Sequence, residues 1–309
     1  MLKRVKNAER RRVPAAPGAP AEDGFPLGSY GESFGRRIFR RFCRHRMGLV
    51  SLFVLSFLIL AALLGPFLLP YAPSEMAGPF NQPPSAAHLL GTDAIGRDIL
   101  ARLLSGMRIS LLASFLATAI STAIGVLLGL LSAYLGSWVD VFIMRFTDMV
   151  MSFPYLLLVL VAAAIFRPGL WNIILILGFI DWPGVARLVR GNVLSLREQA
   201  FVQAGRLAGL PRRKIIFSDI LPNTMAPVLI YATSVMAISM LDEAALSFLS
   251  LGVQPPTPSL GNMLGDAQSL TVLTQRPWLW LPPGICIILL VVSINFIGDA
   301  LRDAFDPKS

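Results

Sequence analysis

The sequence predicts an all-α polytopic membrane protein with six transmembrane helices. Three observations carry that expectation. Hydrophobic residues make up 55% of the 309-residue chain and charged residues only 15%, against roughly a quarter charged in a globular domain. Six apolar stretches reach the ~20 residues that a helix needs to cross a bilayer core. The 27 Lys and Arg are unevenly spread, with twelve in residues 1–46 and seven between Arg187 and Lys214. Backbone groups in lipid must be bonded within their own element, so only helices and closed barrels span. The stretches are continuous rather than alternating and too long for barrel strands, which leaves helices.

Residues 1–32 read as a disordered tail, with Pro14, Pro17, Pro20 and Pro26 interleaved with Ala and Gly and no apolar period. No apolar core follows the basic start closely enough for a secretory signal. Residues 33–46, SFGRRIFRRFCRHR, set Phe34, Ile38 and Phe42 among Arg pairs, the pattern of an amphipathic helix on a membrane surface. The spans follow at 48–70, 109–135, 139–166, 170–189, 224–249 and 279–301. The third carries Asp148 and Pro154 inside it, and the fourth Asp181 and Pro183. With the N-terminus in the cytoplasm, 22 of the 27 cations fall on that side, and Arg97, Arg102, Arg108, Arg167 and Arg276 on the other. The bias places both termini in the cytoplasm. Two loops, 71–107 and 250–278, then lie outside, and Trp278 and Trp280 fall where an interfacial aromatic belt belongs.

Composition also excludes chemistry. Cys43 and Cys286 cannot make a disulfide framework or a Cys-rich metal site. His45 and His88 lie far apart and read as bystanders, so no metal site is expected. No G-x-x-x-x-G-K-[ST] or H-E-x-x-H occurs. No segment outside the membrane is long enough for a catalytic domain. The chain reads as a non-enzyme that binds no cofactor, and energised work must draw on a partner or an ion gradient.

The segment between spans four and five, LSLREQAFVQAGRLAGLPRRKIIFSDILPNTMAP (194–227), is the most informative. It is helix-compatible up to Pro211, which stops or kinks it. Ala200, Ala204, Gly205, Ala208 and Gly209 make a small-residue face ringed by Arg197, Arg206, Arg212, Arg213 and Lys214. Such a face permits close approach, either by a partner or by this chain's own helices. Gln203-Ala204-Gly205, then Gly209, then Ile220-Leu221-Pro222 resembles the EAA loop of bacterial ABC importer permeases, with Gln203 in place of Glu and Gly205 in place of Ala. Five further blocks resemble the C-type permease subunit of dipeptide/oligopeptide/nickel importers: HLLGTDAIGRDILARLLSGMRISLL (88–112), MRFTDMVMSFP (144–154), WPGVARLVRGNVLSLREQ (182–199), AALSFLSLGVQPPTPSLGNML (244–264) and FIGDALRDAFDP (296–307).

That resemblance implies a MetI-like core over 106–309, with a coupling loop at 190–222, preceded by a first helix and outer loop over 47–105. It implies a coupling helix at 198–211, with Glu198, Gln203, Ala204, Gly205, Gly209, Pro211, Leu221 and Pro222 as the residues engaging an ATPase. It further implies a second, homologous permease, two cytoplasmic ATPase subunits that use ATP and Mg, and an external solute-binding protein, in the bacterial cytoplasmic membrane. No nucleic-acid partner is expected. A charge at a helix centre costs about 2.5–3.5 kcal/mol on insertion scales, so each acid needs a partner or water. Asp148 lies three residues after Arg145, and an Arg145–Asp148 ion pair is expected. Asp181 either faces a cavity or caps the kink at Pro183. Asp242 and Glu243 either line the outer mouth of a pathway, attracting a cation such as a peptide N-terminus, or are interfacial charges in water. Asp93 or Asp98 suits a helix cap, and Pro154, Pro183, Pro227, Pro282 and Pro283 are expected to kink spans. Peptide import is the leading reading. Nickel or another small solute, a gradient-driven secondary transporter, and a nucleic-acid or lipid binder using the basic tail are the alternatives.

Overall fold

The computed structural model describes residues 34–305, and the 1–32 tail lies outside them. The chain divides into two units, 1–37 and 38–309; the first contributes only the opening of α1 (Phe34–Phe42) to the described residues. Among the described residues the structure is helical, with isolated β-bridges only at Met76–Arg97 and Thr92–Asp98. Five helices are long and apolar enough to cross a membrane: Arg46–Leu68, Ile99–Leu135, Leu170–Arg197, Ile215–Phe248 and Pro277–Phe305. Ser137–Ser152 and Tyr155–Ile165 are apolar enough only when taken together, bent by 86°, and make a sixth span where the pair crosses as one.

His45 caps α2 (Arg46–Leu68), its Nδ1 accepting the Gly48 N–H at 2.9 Å. His45 is therefore no bystander, because the first turn of a helix has N–H groups with no intrahelical partner. The buried stripe Ser51, Leu58, Ala62 and Gly65 turns inward, and Phe53, Phe57 and Phe67 remain exposed on the chain surface.

Helix α3 (Ile99–Leu135) starts ten residues before the expected span and is 37 residues long, about 55 Å at 1.5 Å per residue. Asp98 sets its start by accepting the Ala101 N–H at 2.8 Å. Its other carboxylate oxygen meets His88 Nδ1 at 2.9 Å, and the His88 ring lies against Tyr71. His88 thus holds the cap residue. Asp93 instead organises the preceding turn, accepting the Ile95 and Arg97 N–H groups and Arg97 Nε at 2.7 Å.

The third span breaks between α4 (Ser137–Ser152) and α5 (Tyr155–Ile165). Pro154 pushes Phe153 out of the helical region, to φ −83°, ψ 142°, as a residue before proline is pushed. Helices α6 (Leu170–Ile180) and α7 (Trp182–Arg197) meet at Asp181, whose near-helical φ −82°, ψ −6° keeps the fourth span continuous. After α8 (Ala200–Leu207) and the short α9 (Arg212–Lys214), a π-helical stretch Ile215–Ile220 leads into α10 (Leu221–Phe248). The Leu221 N–H donates five residues back, to the Ile216 carbonyl. Pro222 has no N–H to offer a carbonyl four residues back, so the wider turn forfeits no bond there. Two short helices, α11 (Leu260–Leu264) and α12 (Leu270–Gln275), precede α13 (Pro277–Phe305), which carries Pro282 and Pro283 within it.

Helix α3 is the central post. Its inward stripe of Ala113, Ala117, Ser121, Gly125, Gly129 and Ala133 repeats every four residues. A Cβ at Gly125 would stand 2.4 Å from Val185 Cβ, and one at Gly129 would stand 2.6 Å from the Ala186 carbonyl oxygen. The two helices meet at backbone distance, the use that small-xxx-small spacing serves where no water drives association. Buried Ser114 and Thr118 donate to carbonyls of their own helix, at 2.9 and 2.8 Å, so neither of these hydroxyls is stranded.

Candidate functional site

The loop after α7 folds into a corner. The Gln203 amide donates to the Glu198 carbonyl at 3.2 Å, across the turn between α7 and α8. Helix α8 buries Val202 and Gly205 against this chain's own residues, Val202 joining an apolar cluster with Ile215, Ile220 and Val193. A Cβ at Gly205 would lie 3.5 Å from Leu210 Cδ1, ordinary contact, so the alanine of related loops fits there too. The small-residue face is therefore split: Gly205 packs inside, and Ala204, Ala208 and Gly209 are exposed. Gly209 has φ +72° and open space around its Cβ position. The Leu210 N–H donates to the Gly205 carbonyl and the Gly209 N–H to that of Arg206, which is a Schellman ending. Gly209 thus serves the backbone, sparing on the order of 1 kcal/mol that an L-residue loses in the left-handed region. Pro211 then starts the next turn, its carbonyl accepting the Lys214 N–H. The exposed side of α8 carries two large apolar side chains beside Gln203 and Arg206. Phe201 is exposed, Leu207 is 90% exposed, and both have Ala204 between them in sequence.

The three intramembrane acids part company. Asp181 makes no side-chain capping bond to α7. Its carboxylate accepts from Ser239 Oγ at 3.3 Å, lies within reach of the Tyr155 hydroxyl, and lines a cavity of about 310 Å³ with Tyr155, Pro183, Gly184 and Tyr231. The Tyr155 hydroxyl donates to Asp242 at 2.7 Å, so one phenol joins carboxylates from α6–α7 and α10.

Glu243 does not line a mouth and is not in water, which corrects both sequence readings. It is fully buried, and Ser247 Oγ donates to its Oε1 at 2.8 Å. The Ser110 and Ser259 hydroxyls lie against the same carboxyl, whose Oε2 lacks a hydrogen bond of good geometry. Each serine oxygen accepts a backbone N–H: Val253 on Ser247, Leu260 on Ser110 and Asn262 on Ser259. Glu243 therefore pins the loop 253–262 to α3 and α10. Glu243→Leu strands hydroxyls at about 1–3 kcal/mol each and is expected to lower the thermal midpoint in detergent, whereas Glu243→Gln keeps most of it; equal midpoints for the two variants would refute the pin.

The expected Arg145–Asp148 pair does not form. Asp148 pairs with Arg187 of α7 at 2.8 Å, with both side chains about half exposed, because α4 lies beside α7 and a facing arginine outcompetes a neighbour on the same helix. A stronger pair stands nearby. Arg190 grips Asp140 with two hydrogen bonds of 2.6 Å, and the Ser132 hydroxyl donates to the same carboxylate. This bidentate contact joins α3, α4 and α7. Among the described residues no cluster of His, Cys, Asp and Glu could hold a metal ion.

Residues 125–309 match the family described as binding-protein-dependent transport system inner membrane component, and residues 33–84 match the N-terminal TM domain of oligopeptide transport permease C. The chain belongs to the binding-protein-dependent transport permeases. The permease is 38% identical over 307 residues to the dipeptide transport system permease protein DppC of Alkalihalophilus pseudofirmus, covering 99% of both chains. It is 42% identical over 275 residues to the glutathione transport system permease protein GsiD of Salmonella typhimurium, covering 88% of this chain and 90% of that one. Its fold resembles the inward-facing MetNI methionine ABC transporter at a TM-score of 0.56 and 18% identity, over 66% of the permease and 97% of the matched chain. The permease is thus a multi-pass membrane protein with a MetI-like core. Sequence reasoning missed the Gly125–Gly129 contact, although its G-x-x-x-G spacing is visible in the sequence. It also missed Tyr155 as the link between the acids, for which no local pattern exists.

Proposed function

We propose that this permease carries peptides inward across the bacterial cytoplasmic membrane as one half of a permease pair. Two cytoplasmic ATPases using ATP and Mg drive it, and an external solute-binding protein loads it. The supporting observation is the corner at α8: two exposed apolar side chains, Phe201 and Leu207, in a cation-rich segment, on a bundle with no phosphate-binding loop of its own. In this reading both termini are cytoplasmic, residues 106–309 form the moving core, and the corner from Glu198 to Pro222 receives the push. Leu221 and Pro222 sit where the π-turn passes that push into α10. The bundle then alternates between outward and inward openings with no covalent chemistry in this chain.

Peptides are favoured over nickel because the dipeptide and glutathione permeases are similar over nearly the whole chain. Asp181 and Asp242, bridged by Tyr155 beside the 310 Å³ cavity, are assigned to the pathway. In this reading they supply the counter-charge that a peptide ammonium needs on its way through. In cells expressing the complete transporter, Asp181→Asn with Asp242→Asn is expected to cut dipeptide uptake at least ~10-fold, the loss of one ammonium–carboxylate contact, while the amount of inserted protein is unchanged. Full uptake by that double variant refutes the pathway assignment. Uptake of Ni²⁺ but not of dipeptides by the unaltered transporter refutes the substrate class.

A further inference from the structure

A cleft of about 470 Å³ lies between the end of α3 and the α8 corner, lined by Tyr134, Leu135, Arg197, Arg206, Leu210 and Ile215. Two guanidiniums and a phenol converge on it. Arg197 donates one N–H to the Ala133 carbonyl at 3.0 Å, but its Nε is buried and has no partner. Arg206 forms no ion pair among the described residues. Asp140 is engaged by Arg190 and Ser132. The carboxylate of Asp219 stands over Gly205, 4.0 Å from a Cβ built there, and pairs with neither arginine among the described residues. The cleft therefore holds positive charge that the described chain does not neutralise.

Its depth points to the source of the missing anion. Leu135 ends an apolar spanning helix, Tyr134 precedes it, and Trp138 follows at 75% exposure. Tyr and Trp at a helix end mark the headgroup level of a bilayer. A guanidinium fork matches phosphate oxygens two at a time.

We propose that this cleft binds a phosphate group, supplied by the headgroup of an anionic phospholipid, between Arg197 and Arg206. The bound phosphate joins the end of α7 to α8 and so fastens the corner against α3. The site is separate from the Asp181–Asp242 cavity and from the exposed Phe201 and Leu207 of α8.

The test uses the full chain, purified in detergent and offered equimolar phosphatidylglycerol and phosphatidylcholine, with retained lipid read by native mass spectrometry. Phosphatidylglycerol is expected to be retained over phosphatidylcholine, and Arg206→Gln to lower its retention about tenfold, the loss of a charge-assisted contact. Arg206 is exposed, so the thermal midpoint of that variant is expected to match the parent. Arg197→Lys is the second variant; it keeps the charge and loses the fork, and retention is expected to fall there as well. A parallel arm adds inorganic phosphate. If phosphate displaces the lipid, and does so only with both arginines present, the cleft is a phosphate site that lipid fills. If phosphate binds with the same arginine dependence while no lipid is retained, the anion is soluble. Lipid retention that ignores both substitutions, with no phosphate effect, overturns the proposal. So does an arginine dependence seen only after an ATPase subunit is added, since an acidic side chain of that subunit is then the occupant.

Discussion

Gly129→Val is expected to prevent stable accumulation of the permease. A Cβ at this position meets the Ala186 carbonyl oxygen at 2.6 Å and Val189 Cβ at 2.7 Å. The first of these atoms is backbone in a helix and cannot swing aside. Relief requires α7 to move away from α3, which opens the packing of Val185, Val189 and Val193. Overpacking of this kind costs about 1–3 kcal/mol per site, and the added valine methyls extend the clash. Adding Gly125→Val, whose Cβ meets Val185 and the Trp182 carbonyl, is expected to deepen the loss. Gly205→Ala is the control, because its Cβ finds ordinary contact distances, and its thermal midpoint should equal the parent's. Fluorescence-detected size exclusion after heating reads all three. A Gly129→Val protein as heat-resistant as the parent refutes the close contact.

The second large effect is expected at the outward face of α8. Leu207→Asp removes an apolar side chain that is 90% exposed on the isolated chain, so the fold loses nothing and the midpoint stays put. If a partner covers this face, the leucine contributes about 1.5–3 kcal/mol of burial to the complex. An aspartate in its place adds a desolvation cost. Together these are expected to lower ATP-driven uptake by at least ~10-fold, with the ATPase recovered in lower yield on the tagged permease. Phe201→Asp, on the same helix and also exposed, should act likewise. Normal uptake by both variants removes α8 from the coupling path.

The spans were legible because apolar length is a one-dimensional signal. Their edges were less so. Helix α3 begins at Asp98 because a cap and a folded preceding loop extend it beyond its apolar run. The 139–166 span is two helices because Pro154 acts on Phe153 as well as on itself. The corner was legible through its spacing, but the reason for Gly209 was not, since a positive φ is a backbone property that a motif only hints at. Charge pairing was the least legible. Arg187–Asp148 and Arg190–Asp140 are 39 and 50 residues apart, and nearest-neighbour rules on one helix cannot find them. Glu243 is the sharpest case: its three serines come from α3, α10 and the 253–262 loop, so an acid that reads as a surface charge is a buried pin.

The most direct test is uptake into vesicles. The permease is reconstituted with the proposed second permease and binding protein, with or without the proposed ATPase subunits, and labelled dipeptide is followed after ATP is placed on the ATPase side. Accumulation is expected only when ATPase and ATP are both present, and it should vanish with Leu207→Asp. Accumulation without any nucleotide-hydrolysing subunit, driven by an ion gradient alone, contradicts a bundle that is moved from outside itself.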